Sequence, residues 1–138
     1  MTSLSSGALE QAILSSFKSD SALITLLGGV RLYDEPKRNA QFPYLTLTTS
    51  YSRDWSTGTE TGEEHRIIIT IWTAADDRSR QQDILARLRA LLDAFEPDMT
   101  DHALINLLIE RIELRPDRKN HLLQGIMQLR AVTERISN

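Results

Sequence analysis

Apolar residues recur four apart at Leu9, Ile13 and Phe17, with Ala8 and Ala12 alongside. This spacing predicts a helix over residues 6–17, with Ser5 or Ser6 as its cap. The pattern breaks at Ser19, Asp20 and Ser21. Asp20 or Ser21 then caps a short second helix over residues 22–27, which Gly28 and Gly29 stop. Residues 32–43 read as connecting chain, restricted by Pro36 and Pro43 and kept wet by Lys37, Arg38 and Asn39. Threonines and aromatics predict a strand over 44–51, and the β-branched run HRIIITIW predicts another over 64–72. Ile67, Ile69 and Ile71 share one face of that strand, while Ile68, Thr70 and Trp72 share the other. Both faces ask for cover, from the chain's own helices or from a partner subunit.

The clearest helix is predicted over residues 76–95, where Ile84, Leu85, Leu88, Leu91, Leu92 and Phe95 make a broad stripe. Asp76 and Asp77 suit its N-terminal end and Pro97 terminates it. Arg78, Arg80, Arg87 and Arg89 lie off the stripe, as a solvated charged face or as an intersubunit surface. A long strand follows over 103–115, with Ile105, Leu107 and Ile109 on one parity and Ile112 and Leu114 on the other. Such a phase change predicts a bulge, or a switch in which face is covered. Residues 116–120 form a turn. The last strand, over 121–136, has Leu123, Met127, Leu129 and Ala131 inward, and Gly125 marks a close approach or a bend. The order helix, short helix, strand, strand, helix, strand, strand predicts an α+β fold. It is an antiparallel sheet of about four strands with helices packed on one face.

Between the first two strands lies SRDWSTGTETG, with turns at Gly58 and Gly62. This predicts a long hairpin whose tip is either an arm contacting a partner or a mobile loop. Trp55 favours contact, because a large aromatic on a polar loop packs back or meets a partner. Ile68, Trp72, Ile105 and Leu107 are expected to point outward and to form an apolar patch that asks for a partner, although simple core packing is the plainer role for Trp72. Tyr33 and Tyr44 are expected to pack the segment that leads into the sheet. Exposed strand edges offer backbone groups for association, and a closed ring satisfies a head-to-tail contact without free ends. A dimer would also cover such a face.

Composition narrows the chemistry. The chain has 138 residues, 41% of them hydrophobic, with 16 basic and 19 acidic residues and a net charge of -3. That length fits one globular domain over residues 1–138. With no cysteine there is no disulfide scaffold, thiolate-bound metal or cysteine nucleophile. The charge balance argues against a general nucleic-acid binder. No apolar run is long enough for a membrane span, and the opening MTSLSSGALE has no signal-peptide pattern, so a soluble protein made in the cytoplasm is expected.

Catalytic motifs are missing. His65, His102 and His121 have no metal-ligand spacing and are expected at surfaces or edges. Asp98, Thr100 and Asp101 lack the calcium-loop pattern. Glu60, Glu63 and Glu64 are expected as solvated hairpin charges. No nucleophile elbow, phosphate loop or dinucleotide fingerprint occurs. Neither a cofactor nor a metal is expected.

Over about residues 8–134 the sequence resembles the tail-completion, or tail-terminator, family of long-tailed phages and phage-derived gene transfer agents. The cues are Gly29 with Arg31 and Tyr33, then Pro43-Tyr44, the run Asp54-Trp55-Ser56-Thr57, the stretch Gly62-Glu63-Glu64-His65, and Trp72. The resemblance implies a non-enzymatic virion assembly protein that forms a ring, often hexameric. Such a ring sits on the head-proximal end of a tail tube, stops tube polymerisation and meets the head connector or adaptor. It implies assembly in a bacterial cytoplasm, a place in the particle's tail, and DNA passing through the ring without sequence-specific binding. On this reading Arg53, Asp54, Trp55, Thr57, Glu60, Glu63, Glu64, Ile68 and Trp72 are the candidate assembly interface. A head-tail joining or neck protein is the neighbouring alternative, and a small enzyme or ligand-binding domain a remote one.

Overall fold

The structure is a computed structural model and describes residues 5–136, with side chains from residue 7 onward. The predicted cap at Ser5 or Ser6 lies outside the described side chains. Two helices open the chain, α1 (Ser5–Lys18) and α2 (Ser21–Leu27). Strands β1 (Leu32–Tyr33), β2 (Tyr44–Asp54) and β3 (Gly62–Ala74) follow, then helix α3 (Arg78–Asp93). Strands β4 (His102–Asp117) and β5 (Leu122–Arg135) close it.

The fold is α+β, as the periodicity predicts. The sheet has five strands rather than about four, in the order β1-β2-β3-β5-β4. The additional strand, β1, lies in the stretch read as connecting chain. It runs parallel to β2, with Leu32 level with Leu45 and Tyr33 with Thr46. Two residues carry no alternation, so only the pairing reveals them. The four long strands are antiparallel, with β3 and β5 at the centre.

Short-range chemistry sets the helix ends. The Asp20 carboxylate accepts a hydrogen bond from the Leu23 N–H at 2.9 Å. At the other end of α2, Gly28 takes φ 79, and the N–H groups of Gly28 and Gly29 donate to Ile24 O at 2.9 and 3.1 Å. Glycine reaches that left-handed geometry without strain. Asp20 also accepts 2.8 and 2.5 Å bonds from Nε and Nη2 of Arg87 on α3. Arg87 is therefore a bidentate clamp between α2 and α3, a correction to its reading as a solvated or intersubunit charge.

All three helices cover one face of the sheet. Leu9, Ile13 and Phe17 of α1, Leu23 and Leu27 of α2, and Ile84, Leu88 and Leu92 of α3 bury against Ile67, Ile69 and Ile71 and their neighbours on β2 and β5. Gly125 marks the closest approach. A Cβ there would lie 2.4 Å from Oε1 of the buried Gln81, whose Nε2 donates to Ile71 O at 3.0 Å and Leu123 O at 3.3 Å.

The phase change in β4 comes from two irregularities, between Leu104 and Asn106 and between Ile109 and Arg111. Each extra residue reverses the parity, so Leu107, Ile109, Ile112 and Leu114 all keep to the helix side. Leu107 is level with Ala131 and packs against the core, so its reading as an outward residue is corrected. Ile105, set at the first irregularity, is 53% exposed.

Candidate assembly interface

The face of the sheet away from the helices is open, and the candidate residues gather at two places on it. The first is the root of the β2–β3 hairpin. Antiparallel pairing sets Arg53 directly opposite Glu64, and Arg66 opposite Arg130 on β5. Glu64 accepts from Arg53 Nε at 2.6 Å and from Arg130 Nε at 2.5 Å, and it is 1% exposed. Burial alone pushes its carboxyl up, but the two guanidinium groups outweigh that and hold it below the usual carboxylate range. Glu64 is thus a buried ion-pair centre, not the solvated hairpin charge expected. Arg66 faces Arg130 but turns to Glu110 at 3.0 Å, so the two facing arginines meet different carboxylates.

Trp55 folds back over this cluster. Its ring centroid lies 5.6 Å from Arg53 Cζ and 5.1 Å from Arg130 Cζ, within cation–π range, and the residue stays 47% exposed. The tip beyond it is bonded throughout. Trp55 N–H donates to Gly62 O at 2.8 Å, and Asp54 Oδ1 accepts from the Ser56 N–H at 3.1 Å. Thr57 Oγ1 accepts from the Glu60 N–H at 3.1 Å, and the Thr57 N–H donates to Glu60 O at 2.9 Å. Arg135 N–H donates to Thr61 O at 2.9 Å and fixes the tip to the end of β5. Glu60 faces Glu134, and a carboxyl–carboxyl hydrogen bond between them, followed by burial and the repulsion of like charges, raises the Glu134 carboxyl above its ordinary value. Glu63 is half-buried on the opposite face, the face that carries His65.

The second place is farther along β3. Ile68 is half-buried between Thr48 and Gln128. Trp72 stacks on Tyr44 with ring centroids 5.8 Å apart and 14° between planes, and Tyr33 and Phe42 flank Tyr44 at 5.7 and 5.5 Å. These rings tie β1 and the segment before β2 to the sheet, the role expected for Tyr33 and Tyr44. Trp72 is half-buried, and its Nε1 has no hydrogen-bond partner.

The structure therefore joins Arg53, Trp55 and Glu64 in one cluster and sets Asp54, Thr57 and Glu60 in the tip above it. Ile68 and Trp72 stand apart along the strand. Arg130 was missed by sequence reasoning. Its outward parity on β5 was readable, but its pairing with Glu64 depends on the β3–β5 register. His65 is another correction: it is fully buried, with Nδ1 2.7 Å from Ser52 Oγ and Nε2 3.0 Å from Thr133 Oγ1.

Among the described residues no group of three His, Asp or Glu side chains is placed to hold a metal ion. One cleft of about 450 Å³ between α1 and the end of α3 is lined by Ala12, Ser15, Ser16, Leu91, Phe95 and their neighbours, with no histidine. Among the described residues no helix is long and apolar enough to cross a membrane.

Comparison with known proteins settles the kinship. A chain in the virion of a native gene transfer agent particle superposes with a TM-score of 0.84 at 22% identity, over 96% of this chain and 99% of that one. The gp17 protein of bacteriophage SPP1 superposes with a TM-score of 0.58 at 20% identity, over 99% of this chain and 94% of that one. At those identities they share the fold. No curated protein sequence matches. The model of the family described as tail completion protein gp17 matches residues 11–134, and the chain belongs to that family of tail-completion proteins, which are structural rather than enzymatic.

Proposed function

We propose that this chain assembles into a hexameric ring that caps the head-proximal end of a tail tube, stops its growth and forms the junction to the head connector. Family membership over residues 11–134 carries this reading. The hairpin supports it by holding the indole of Trp55 half-exposed on a cluster in which Arg53 and Arg130 share the buried Glu64 carboxylate. Trp55, with Arg53, Asp54, Thr57, Glu60 and Glu63, forms the arm that reaches a neighbouring subunit or the tube. Glu64 acts from beneath by orienting Arg53, and Ile68 and Trp72 extend the contact along the open face. DNA passes through the ring without being read. The chain's net charge of -3 gives the ring no general affinity for a duplex.

The test uses polymerising tail-tube subunits from the same particle. Added protein should arrest elongation and co-sediment with the tubes at a fixed ratio per tube end. If it leaves tube growth unchanged and binds portal or adaptor rings instead, it is a head-tail joining protein. Deletion of residues 56–62 should lower ring mass or tube capping; both unchanged would remove the arm from the interface.

A further inference from the structure

The sheet ends in two edges, and neither is closed along its length. β4 forms one edge, and among the described residues no strand pairs along its outer side. At the other edge β1 covers only Leu45 and Thr46 of β2 and leaves residues 47–54 open on that side. A long bare edge templates pairing with another chain unless charges, prolines or short length protect it. β4 is unprotected over its first half. Residues 103–109 carry no charge and no proline. Ile105 and Leu108 within this stretch are 53% and 50% exposed. Its second half holds Glu113 between Arg111 and Arg115, each pair at 3.2 Å.

The two open stretches stand at the same height in the sheet. Asp54 is level with Glu63, Glu63 with Thr133, and Thr133 with Leu104. Leu47 is level with Ile69, Ile69 with Met127, and Met127 with Ile112. The free part of β2 thus spans residues 104–112 of β4, that is the uncharged stretch up to Ile109 together with Glu110, Arg111 and Ile112. The exposed Tyr51 is level with the exposed Leu108, through Arg66 and Arg130. Where β1 closes the other edge, at Leu45 and Thr46, β4 presents Leu114 and Glu113, within its charged half.

Direction agrees as well. The long strands alternate from β2 through β3 and β5 to β4, so β4 runs opposite to β2. A rotated copy keeps its directions, and its β2 meets β4 of the first copy antiparallel. We infer that β4 of one subunit pairs edge to edge with residues 47–54 of β2 in a second copy of this chain, so that one antiparallel sheet runs around the ring. This rests on the ring reading above and adds the surface and register by which the ring closes. The tilt of strands in a closed sheet shifts the register by a few residues.

The chain has no cysteine, which makes cross-linking clean. Leu108→Cys is combined in turn with Thr48→Cys, Tyr51→Cys or Arg53→Cys, all on the open face, to sample a slide of about two residues either way. Two strands lie between these positions within one chain, roughly 14 Å in all, so a disulfide between them has to join two copies. Oxidation, alone and on tail tubes, should give a ladder of covalent multimers from at least one pair and dimers at most from single variants. A second variant, Leu108→Lys, should leave the circular dichroism spectrum unchanged and abolish the ring. A wild-type ring without any covalent ladder, or a Leu108→Lys ring of wild-type mass, overturns the edge pairing and leaves the ring reading intact. Wild-type protein that stays monomeric both alone and on tubes overturns both.

Discussion

Glu64 and His65 are neighbours in the chain, point to opposite faces of β3 and are both buried with partners on two sides. They respond to substitution and pH differently. Glu64→Gln keeps the shape and removes the charge that Arg53 and Arg130 share. It should lower unfolding free energy by about 1–3 kcal/mol in denaturant titration. It should also shift tryptophan emission to longer wavelength as Trp55 loses its arginine bed. An unchanged spectrum would mean that the arm holds itself. Burial, the largest cause, depresses the His65 pKa below its ordinary value of 6.5. The unfolded chain therefore takes up the proton first, so this contribution is complete above about pH 6.5 and is lost as pH falls through the lower folded value. Glu64 and Asp20 are depressed from 4.5 and 3.8, and their contributions fail only in more acid solution. Melting temperature should be level above pH 7 and begin to fall near 6.5. His65→Gln should remove the decline that begins near pH 6.5 and leave the acid limb. An unaltered slope in the variant would exclude the histidine as its source.

At the scale of elements, features with a local period were legible in the sequence and features of pairing were not. The stripe from Ile84 to Leu92 places α3, and the alternation of Ile67, Ile69 and Ile71 places β3 with its correct face inward. β1 escaped because a two-residue strand has no period. The phase change in β4 announced an irregularity, but only the register shows that Leu107 turns to the core while Ile105 stays out. At the candidate site the same limit applies. Trp55 and Arg53 stand out in the hairpin, whereas Arg130 meets Glu64 across 66 positions of sequence, and Arg87 meets Asp20 across 67. Gly125 is the case where a residue type did report a tertiary contact. Gly125→Ala puts a methyl against the Gln81 side chain, which is hydrogen-bonded in place, and should cost about 1–3 kcal/mol. Gln81→Ala in the same chain should recover part of that loss. Strictly additive losses in a double-mutant cycle would show that helix and glycine do not meet.

For the whole molecule, the hairpin and the sheet edges offer different surfaces for different tasks. Trp55 and its tip rise beyond the end of β2, while residues 47–54 and β4 lie along the flanks of the sheet. Subunits carrying Leu108→Lys keep an intact β2 flank, so they should still accept a wild-type neighbour on that side and refuse one on the other. Mixed in equal parts with wild type, they should reduce closed rings, counted by native mass spectrometry, by far more than half. A reduction of only half would mean that the variant does not enter assemblies at all. In the language of polymer chemistry the protein is a bifunctional monomer with one donor and one acceptor end, and Leu108→Lys makes it a monofunctional chain stopper. Four alternating long strands are the reason: an odd number would give ends of equal direction, and head-to-tail pairing would be parallel. Growth of such a monomer ends when the curve returns to its start, so subunit number is set by the bend at each junction rather than by affinity. Substitutions that alter this bend should change circumference before they change binding, and a ring of the wrong circumference would no longer match the end of its tube.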